Sequence, residues 1–456
     1  MSEPKQSSAA SAEVATQGAE IHARRPRGPD RGVKAQVWTE RMLPALENGV
    51  KGGKWFSLMD KVFSPKTLAL AWTKVRSNKG AAGVDGQSIE RFAARADDYL
   101  SELSMALREG IYVPQGVRRV DIPKGANLFC ASRKGGRTRP LGIPTVKDRI
   151  VQQAVRLVIE PIFEHEFAEG SYGFRSGRGC HDALREVDRL LKDGYAHVVD
   201  ADLQAYFDTI PHDALMARVD DRISDGRVLD LLRGWLKADI LKGTESWTPI
   251  QGSPQGSVIS PLLANVYLHP LDVLMAERGY RMVRYADDFV ILCRTREAAD
   301  AALDVVRAWV TAAGLTLHPD KTHAGDCRQP GQGFEFLGYR FEAGLRFVRK
   351  KSLNKLKDNI RAKTGRCAGN SLEHVIASLN PMLRGWFGYF KQAHPTTFAG
   401  LDGFIRRRLR SMLLKQKKKS HIGFGTLIHK TWPNAYFADA GLFAFKAARQ
   451  SARQSR

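Results

Sequence analysis

The sequence lacks the patterns of a membrane protein, a zinc protein or a disulfide-stabilised protein. It has five cysteines in 456 residues, and no two of them show the short spacing of a zinc site or a redox motif. No apolar run approaches the roughly 18 residues that span a bilayer, and the N-terminus has no apolar core typical of a signal peptide. These absences predict a reduced, cytoplasmic protein with no membrane association.

Acidic residues are scarce in the last quarter of the chain. Residues 345–456 hold 24 Lys and Arg but only four Asp and Glu, a net charge of +20, whereas the first 344 residues have a net charge of +3. This asymmetry indicates a basic module joined to a nearly neutral one. A polyanion is the natural partner of such a module, and phosphate backbones are the polyanion that the concentrated charge favours.

Hydrophobic periodicity divides the chain into regions of different character. Residues 1–54 predict a flexible tail, and residues 55–195 predict helices with one hairpin between 112 and 143. The next region, to about residue 345, alternates helices with strand-like segments at 197–201, 281–285, 289–293 and 335–341. Beyond it the apolar spacing is helical, and Asn380-Pro381 predicts the start of a helix.

Acidic residues that suit catalysis lie in two short segments of the middle region. Residues 281–293 form two apolar runs joined by a turn with Asp287 and Asp288, and residues 198–208 form a strand-like run with Asp200 and Asp202. Nucleotide transfer onto a 3′-hydroxyl needs divalent ions, and carboxylates are hard ligands that suit Mg²⁺. The segments therefore predict a metal site, although a solvated turn would also explain adjacent aspartates.

Several motifs resemble, in order and spacing, those of group II intron-encoded reverse transcriptases. Tyr-Ala-Asp-Asp at 285–288 is similar to the reverse transcriptase signature, and Asp-Leu-Gln-Ala-Tyr-Phe-Asp at 202–208 is similar to the motif before it. The surrounding blocks fit the same family: Asn-Lys-Gly-Ala-Ala-Gly-Val-Asp-Gly at 78–86, Arg-Pro-Leu-Gly-Ile-Pro at 139–144, Tyr-Gly-Phe-Arg at 172–175, Gln-Gly-Ser-Pro-Gln-Gly at 251–256 and Ser-Pro-Leu-Leu-Ala-Asn at 260–265. The resemblance implies an α/β right-hand polymerase with fingers (55–195) and palm (196–345), followed by an all-α thumb and maturase domain (346–456).

The resemblance also implies a metal-binding catalytic set of Asp202, Asp287 and Asp288. It implies two Mg²⁺ ions, with Mn²⁺ as a possible substitute. Asp200 lies two residues before Asp202, so on a strand both side chains face the same way, and periodicity alone does not choose between them. The family pattern selects Asp202.

Further residues match positions that contact the incoming nucleotide in this family. Phe207 matches the aromatic residue that excludes a ribose 2′-hydroxyl, with an ordinary core phenylalanine as the alternative. Gln255 matches a nucleotide contact, Lys321 matches a lysine suggested to assist the departing pyrophosphate, and Arg139 matches a fingers contact to the triphosphate. The lysine that accompanies Arg139 is either Lys124 or Lys134.

The basic C-terminal region resembles the thumb and maturase domain of the same family, and residues 336–339 resemble its primer grip. Arginines on the predicted helices are the candidates for RNA contacts: Arg384, Arg406, Arg407, Arg408 and Arg410. The aromatic residues Trp386, Phe387 and Phe390 are better explained as helix core. Since no paired cysteines follow, the resemblance implies the endonuclease-lacking type.

Together these features predict an RNA-directed DNA polymerase that binds group II intron RNA, promotes its splicing and copies it into DNA during retrohoming. The implied partners are intron RNA, an RNA template with a DNA primer, dNTPs and a DNA target, without a membrane or protein partner. A ribonucleoprotein or nucleoid location within the cytoplasm follows from these partners. Two alternatives are a free-standing reverse transcriptase recruited to host defence or repair and a non-catalytic RNA-folding factor.

Overall fold

A computed structural model describes residues 37–38, 42–50, 52–123, 138–367, 369–418 and 425–454. Lys124 and Lys134, the alternative partners of Arg139, lie outside the described residues. Within those ranges, none of the helices has both the length and the apolar character needed to cross a membrane.

The N-terminal region is helical around one hairpin. Its elements are helices α1 (Leu43–Asn48), α2 (Met59–Val62), α3 (Pro65–Ser77), α4 (Ile89–Ala93) and α5 (Ala96–Glu109), strands β1 (Val117–Pro123) and β2 (Thr138–Ile143), and helices α6 (Val146–Glu164) and α7 (Cys180–Lys192). β1 and β2 pair antiparallel, which confirms the hairpin predicted between 112 and 143. Helix α6 is buried along most of its length and packs against α3.

The middle region adds the strands that complete two sheets. Its elements are β3 (His197–Asp202), α8 (Tyr206–Thr209), α9 (His212–Asp220), α10 (Gly226–Leu236), β4 (Ile240–Lys242), β5 (Glu245–Trp247), α11 (Ser260–Glu277), β6 (Arg281–Tyr285), β7 (Asp288–Cys293), α12 (Arg296–Ala312) and β8 (His323–Asp326). The N-terminal sheet has the order β2-β1-β4-β5. The central sheet has the order β6-β7-β3-β8, and all its neighbours are antiparallel.

Strand β7 is buried on both faces because the central sheet separates two cores. Phe289 and Ile291 pack in the core that includes α6, α11 and α12. Val290 and Leu292 point to the opposite face, into the core that includes α7 and the C-terminal helices. Side chains alternate along a strand with a period of two, so one continuous apolar run serves both cores. This double burial fixes the register of β7.

The predicted single strand at 335–341 is wrong. The structure has two strands there, β9 (Phe334–Phe336) and β10 (Tyr339–Glu342), which form a small sheet with β11 (Leu345–Val348) in the order β11-β10-β9. Leu337 and Gly338 form the turn between β9 and β10, with φ angles of +48° and +81°. Two consecutive residues with positive φ are typical of a two-residue hairpin turn, which the apolar run on both sides conceals in the sequence.

Every described element after β11 is a helix, as expected. The helices are α13 (Lys350–Lys363), α14 (Leu372–Phe390), α15 (Thr396–Gln416), α16 (Thr426–Thr431), α17 (Asn434–Asp439) and α18 (Phe445–Gln454). The mixed α/β region followed by an all-α region confirms the predicted fold class.

The predicted helix start at Asn380-Pro381 is wrong, because both residues lie inside α14. The cap is Ser371, whose hydroxyl accepts a hydrogen bond from the His374 amide at 3.2 Å. Asn380 instead binds the C-terminal segment: its Nδ2 donates to the Gly441 carbonyl at 2.8 Å, and its Oδ1 accepts from the Phe443 amide at 2.9 Å. Asn380 therefore joins α14 to the C-terminal segment through tertiary contacts.

Candidate active site

The three predicted metal-binding aspartates meet at one end of the central sheet. Asp202 is the last residue of β3 and pairs in register with Asp288, the first residue of β7. Asp287 lies in the two-residue turn between β6 and β7, next to Ala286, whose φ is +61°. Directly opposed residues on antiparallel strands have Cβ atoms about 5 Å apart, so Asp202 and Asp288 are neighbours.

The electrostatics of this end indicate more negative charge than the nearby cations compensate. Burial raises the pKa of Asp288 to about 7, and the nearby carboxylates of Asp200, Asp202 and Asp287 add to the shift. Burial and Asp202 also raise the pKa of Asp287. A divalent cation would relieve this repulsion, and carboxylates are the donor type that Mg²⁺ prefers. The residues therefore fit the implied ions.

The site as it stands is not a closed metal cage. In the ranges described above, no group of three or more His, Cys, Asp and Glu side chains is arranged as ligands of one ion. The cation that Asp202 contacts is the ammonium of Lys321, which forms an ion pair with it. Lys321 is more than half exposed. The structure therefore brings Lys321 to the predicted aspartates from the loop before β8.

Asp200 occupies a different place from Asp202, although both lie on the same face of β3. Asp200 pairs in register with Val290 of β7, two positions after Asp288. It therefore lies away from the turn of Ala286 and Asp287, which is called the catalytic turn because it carries a predicted catalytic residue. The Asp200 carboxylate accepts a hydrogen bond from the Glu335 amide at 3.4 Å. On its other side, Asp200 pairs in register with His323 of β8. Burial raises its pKa to about 6. The register therefore supports the choice of Asp202 over Asp200.

Arg139 on strand β2 and Gln255 in the loop between β5 and α11 come together. Arg139 Nε on β2 donates to Gln255 Oε1 at 2.6 Å, and Gln255 Nε2 donates to Asp208 Oδ1 at 3.4 Å. The Gly142 amide also donates to the Gln255 carbonyl at 2.7 Å, which fixes the loop to the hairpin. The predicted triphosphate contact and the predicted nucleotide contact are thus direct neighbours.

A cavity of about 470 Å³ opens beside these residues, within the size range of small-molecule sites. Its lining includes Phe207, Gln255, Gly142 and Trp247. The Phe207 ring is only 9% exposed and packs edge-on against Phe174 and Tyr206. Phe207 is therefore both a core residue and a wall of the cavity, so the two alternatives for it are compatible.

Arg284, which the sequence reasoning missed, lies fully buried beneath the catalytic turn. Its five N–H groups all have acceptors: both carboxylate oxygens of Asp272, the Asn265 side-chain oxygen, the Ser171 hydroxyl and the Ala286 carbonyl. The bond to Ala286 holds the residue next to Asp287. Removing one member of a buried ion pair typically costs about 3–5 kcal/mol. Arg284 directly precedes the signature motif, and that position was its only sequence signal.

Gly170 and Gly173 allow a second segment to approach the turn closely. The Arg284 amide donates to the Gly170 carbonyl, and the Tyr172 amide donates to the Arg284 carbonyl, both at 2.8 Å. A Cβ atom on Gly173 would lie 2.2 Å from the Ala286 nitrogen. Real Cβ atoms do not approach backbone this closely, so only glycine fits. The 172–175 block is thus a support of the catalytic turn.

Replacing Gly173 with alanine is expected to displace the catalytic turn and lower nucleotide incorporation at least about tenfold, because a misplacement near 1 Å can cost about a hundredfold. Overpacking should also lower the free energy of unfolding by about 1–3 kcal/mol. Gly179→Ala is the matched control, since a Cβ atom there would lie 3.7 Å from its nearest neighbour, Asp182 Oδ2. Denaturant unfolding and single-nucleotide incorporation measure both effects. Equal activity of the two variants would contradict the close approach.

The predicted RNA-binding arginines do not share one environment. Arg384 and Arg407 are exposed and Arg406 is half-buried. Arg408 is half-buried and donates to the Thr364 hydroxyl at 3.0 Å and to the Thr364 carbonyl at 2.8 Å.

The prediction that Arg410 contacts RNA is wrong, because this residue is only 2% exposed. Its Nε donates to the Trp432 carbonyl at 2.9 Å and its Nη2 to the Asn434 side chain at 3.0 Å. The guanidinium also lies over the Phe437 ring. Arg410 therefore holds α15 to the C-terminal segment and is unavailable to RNA. Arg384, Arg406, Arg407 and the half-buried Arg408 stay predictions.

The aromatic residues of α14 form core, as predicted. Phe390 is 7% exposed, and Trp386 packs against it with ring centroids 4.6 Å apart. Phe387 packs against Phe398 and Phe443. These contacts join α14 to α15 and to the segment before α18.

Comparison with known proteins places two families on the chain. Residues 123–341 match the family described as reverse transcriptase (RNA-dependent DNA polymerase), and residues 353–432 match the group II intron, maturase-specific domain. Protein YkfC of Escherichia coli strain K12 is 35% identical over 339 residues, which cover 65% of this chain and 84% of YkfC.

The group II intron-encoded protein LtrA of Lactococcus lactis subsp. cremoris is 35% identical over 210 residues, which cover 46% of this chain. The match spans 33% of LtrA, about a third of that protein's length. A solved structure of telomerase from Candida albicans covers 73% of this chain and 67% of that chain at 10% identity. Its TM-score of 0.39 is too low to support a conclusion.

Proposed function

The chain belongs to the family of group II intron reverse transcriptases with a maturase domain, and from this premise we propose that it is an RNA-directed DNA polymerase that also binds intron RNA. One observation carries the polymerase half: Asp202 and Asp288 are register partners beside Asp287. This carboxylate end lies next to the Arg139 and Gln255 pair, which borders a cavity.

Asp202, Asp287 and Asp288 would hold two Mg²⁺ ions, with Mn²⁺ as a substitute. When bound, such ions lower the pKa of the attacking 3′-hydroxyl and neutralise the leaving pyrophosphate. The chain's own contribution is to hold the carboxylates in place. The Arg284 network fixes the Ala286 carbonyl, and the register of β3 and β7 fixes Asp202 against Asp288.

The residues around the cavity would bind and select the nucleotide. Arg139 presents a planar guanidinium that suits phosphate oxygens, and its bond to Gln255 orients both side chains. Phe207 closes the wall against a 2′-hydroxyl. Lys321 supplies a positive charge beside Asp202 and would assist the departure of the negatively charged pyrophosphate. Each residue acts by position or charge, without covalent chemistry.

The maturase half rests on the basic helical region. Of the described residues, Arg384 and Arg407 expose their side chains on α14 and α15. RNA offers phosphates and 2′-hydroxyls to such side chains. Binding there would bring intron RNA, or the RNA template with its DNA primer, to the same chain as the polymerase site. Retrohoming into a DNA target is the proposed outcome of the combined activities.

Primer extension on an RNA template tests the polymerase half, and splicing of a candidate host intron with and without protein tests the maturase half. We expect extension with dNTPs that requires a divalent ion, and faster splicing when protein is added. Extension without any effect on splicing would instead favour a free-standing reverse transcriptase. RNA binding without extension, by folded protein, would favour an RNA-folding factor.

Replacing Arg406 and Arg407 with glutamine is expected to weaken RNA binding uniformly across sequences. Each lost phosphate contact should reduce the slope of log affinity against log salt by roughly 0.7–0.9. Filter binding at salt concentrations from about 50 to 200 mM measures this slope.

The matched control replaces Arg296 and Arg307, which pair with Asp300 and Asp304 on their own helix α12. These exposed pairs contribute little to stability, so both double variants should fold equally well. An unchanged salt slope in the Arg406 and Arg407 variant would remove these residues from the RNA surface.

A further inference from the structure

The turn between β9 and β10 is held by α14 through two tyrosines. Tyr389 Oη donates to the Leu337 carbonyl at 2.8 Å, and Tyr339 Oη donates to the Tyr389 carbonyl at 2.6 Å. In one bond the helix α14 supplies the donor, and in the other it supplies the acceptor. The Gly338 carbonyl accepts from the Arg349 amide at 2.9 Å, so both carbonyls of the turn are engaged.

The packing around these bonds leaves the turn little freedom. Tyr339 is fully buried, and its ring centroid lies 5.1 Å from that of Phe390. A Cβ atom on Gly338 would lie 3.4 Å from Phe390 Cζ. Leu337 has a φ of +48°, a conformation that L-residues rarely adopt without support from their surroundings. The Tyr389 hydroxyl supplies such support at the Leu337 carbonyl.

A buried arginine makes a second tie between the same elements. Arg346 on β11 lies over the Tyr339 ring, pairs with Asp188 of α7 and donates to the Gln392 side chain after α14. Its own carbonyl accepts from the His394 amide at 2.7 Å. The small sheet is thus joined on one side to α7 and on the other to the end of α14.

The small sheet also contacts the strands that carry the catalytic aspartates. β9 packs against β3 and β7. The Glu335 amide donates to Asp200 of β3 at 3.4 Å. The Glu335 carboxylate pairs with Arg349, the residue whose amide holds Gly338. A shift of α14 would therefore move the turn of Leu337 and Gly338 through Tyr389. It would also be transmitted through β9 to β3 and β7, which carry the predicted catalytic aspartates.

We propose that Tyr389 is a positioning residue that places the 3′ end of the primer by fixing the turn of Leu337 and Gly338. The inference rests on the proposed polymerase function, in which residues 336–339 resemble the primer grip. The inference adds a role for α14, which also carries the exposed Arg384. Through this helix, binding of the RNA–DNA duplex by the helical region would be coupled to the position of the primer 3′ end.

Tyr389→Phe tests the proposal because it removes one hydroxyl and keeps the ring against Phe390. The Leu337 carbonyl then loses its partner in a half-buried site, where the loss of one hydrogen bond typically costs a factor of about five to ten in affinity. We expect the KM for a primer–template with a recessed 3′ end to rise by about that factor. The kcat for single-nucleotide addition at saturating primer should stay unchanged.

Two further variants keep the test decisive. Tyr339→Phe removes the reciprocal bond and should raise the same KM, while Tyr436→Phe, at a 40% exposed tyrosine on α17, should leave it unchanged. Thermal unfolding of each variant checks the fold. An unchanged primer KM in folded Tyr389→Phe would overturn the proposal, as would a fall in kcat with no change in that KM.

A failure of the proposed function is separable from a failure of this inference. If the native protein extends primers and Tyr389→Phe behaves identically, only the inference fails. If the native protein does not extend primers, the polymerase proposal fails, and fluorescence anisotropy with an RNA–DNA duplex still measures primer-end binding. Equal preference of both proteins for a recessed 3′ end over a blunt end would then overturn the inference.

Discussion

Replacing Asp287 and Asp288 together with alanine is expected to lower RNA-templated primer extension by at least about a thousandfold. The two carboxylates supply most of the hard ligands at the end of the central sheet, and Asp202 alone would be left beside Lys321. The variant loses two carboxylates whose pKa values are raised by burial and by repulsion from nearby carboxylates, so it should fold normally. Extension with dNTPs and Mg²⁺, compared at equal RNA binding, measures the loss.

The matched control for this prediction is Asp200→Asn. Asp200 lies on the same face of β3 as Asp202, but two residues farther from the turn. Its carboxylate contacts the Glu335 amide, and an asparagine oxygen can accept the same bond. We expect extension within a few fold of the native protein. Loss of activity in Asp200→Asn with persistent activity in the double variant would show that the carboxylate set has been assigned to the wrong residues.

The sequence predicted three of the four strands of the central sheet, β3, β6 and β7, because their apolar runs follow local rules, whereas it did not predict β8. Residues 281–285 and 289–293 are apolar runs on either side of a short turn, and the structure adds only Asp288 to them. The aspartates were identified from motif order, and register then explains why Asp202 and not Asp200 faces Asp288. Periodicity alone could not have made this choice, because both residues share one face of a strand.

Other features depend on contacts between distant segments, which local patterns do not record. Asn380 looks like a helix cap but binds Gly441 and Phe443, sixty residues later in the chain. Arg410 stands in a run of exposed-looking arginines but is buried by Trp432 and Asn434. The residue type of an arginine does not show whether its side chain faces solvent or a buried carbonyl.

Arg284 shows the same limit at the active site itself. The sequence marks it only as a basic residue in a strand, yet its partners are Ser171, between α6 and α7, and Asn265 and Asp272, both on α11. A buried arginine with all donors satisfied is recognisable only when those elements are assembled. The clustering of the three predicted aspartates was therefore predictable from the sequence, whereas the network that holds their turn was not.

Replacing Phe207 with valine is expected to admit ribonucleotides, lowering the preference for dNTPs over NTPs by a factor on the order of 100. The ring forms part of the cavity wall between Asp208 and the loop of Gln255, and a smaller side chain opens space for a 2′-hydroxyl. Valine keeps more of the buried volume than alanine, which limits the cost in stability. The ratio of kcat/KM for dCTP and CTP on an RNA template measures the selectivity.

Phe174→Leu is the matched control, because this ring contacts Phe207 edge-on at 6.3 Å but is 40% exposed. Leucine is not branched at Cβ, so it tolerates the φ of +60° at this position as phenylalanine does. This exchange should change the packing of Phe207 slightly and leave the selectivity within about threefold, since loss of the ring opens no space in the cavity wall. If Phe207→Val folds, extends with dNTPs and still rejects CTP as the native protein does, Phe207 is a core residue alone. The 2′-hydroxyl would then be excluded by the backbone of residues 251–255, which lines the same cavity.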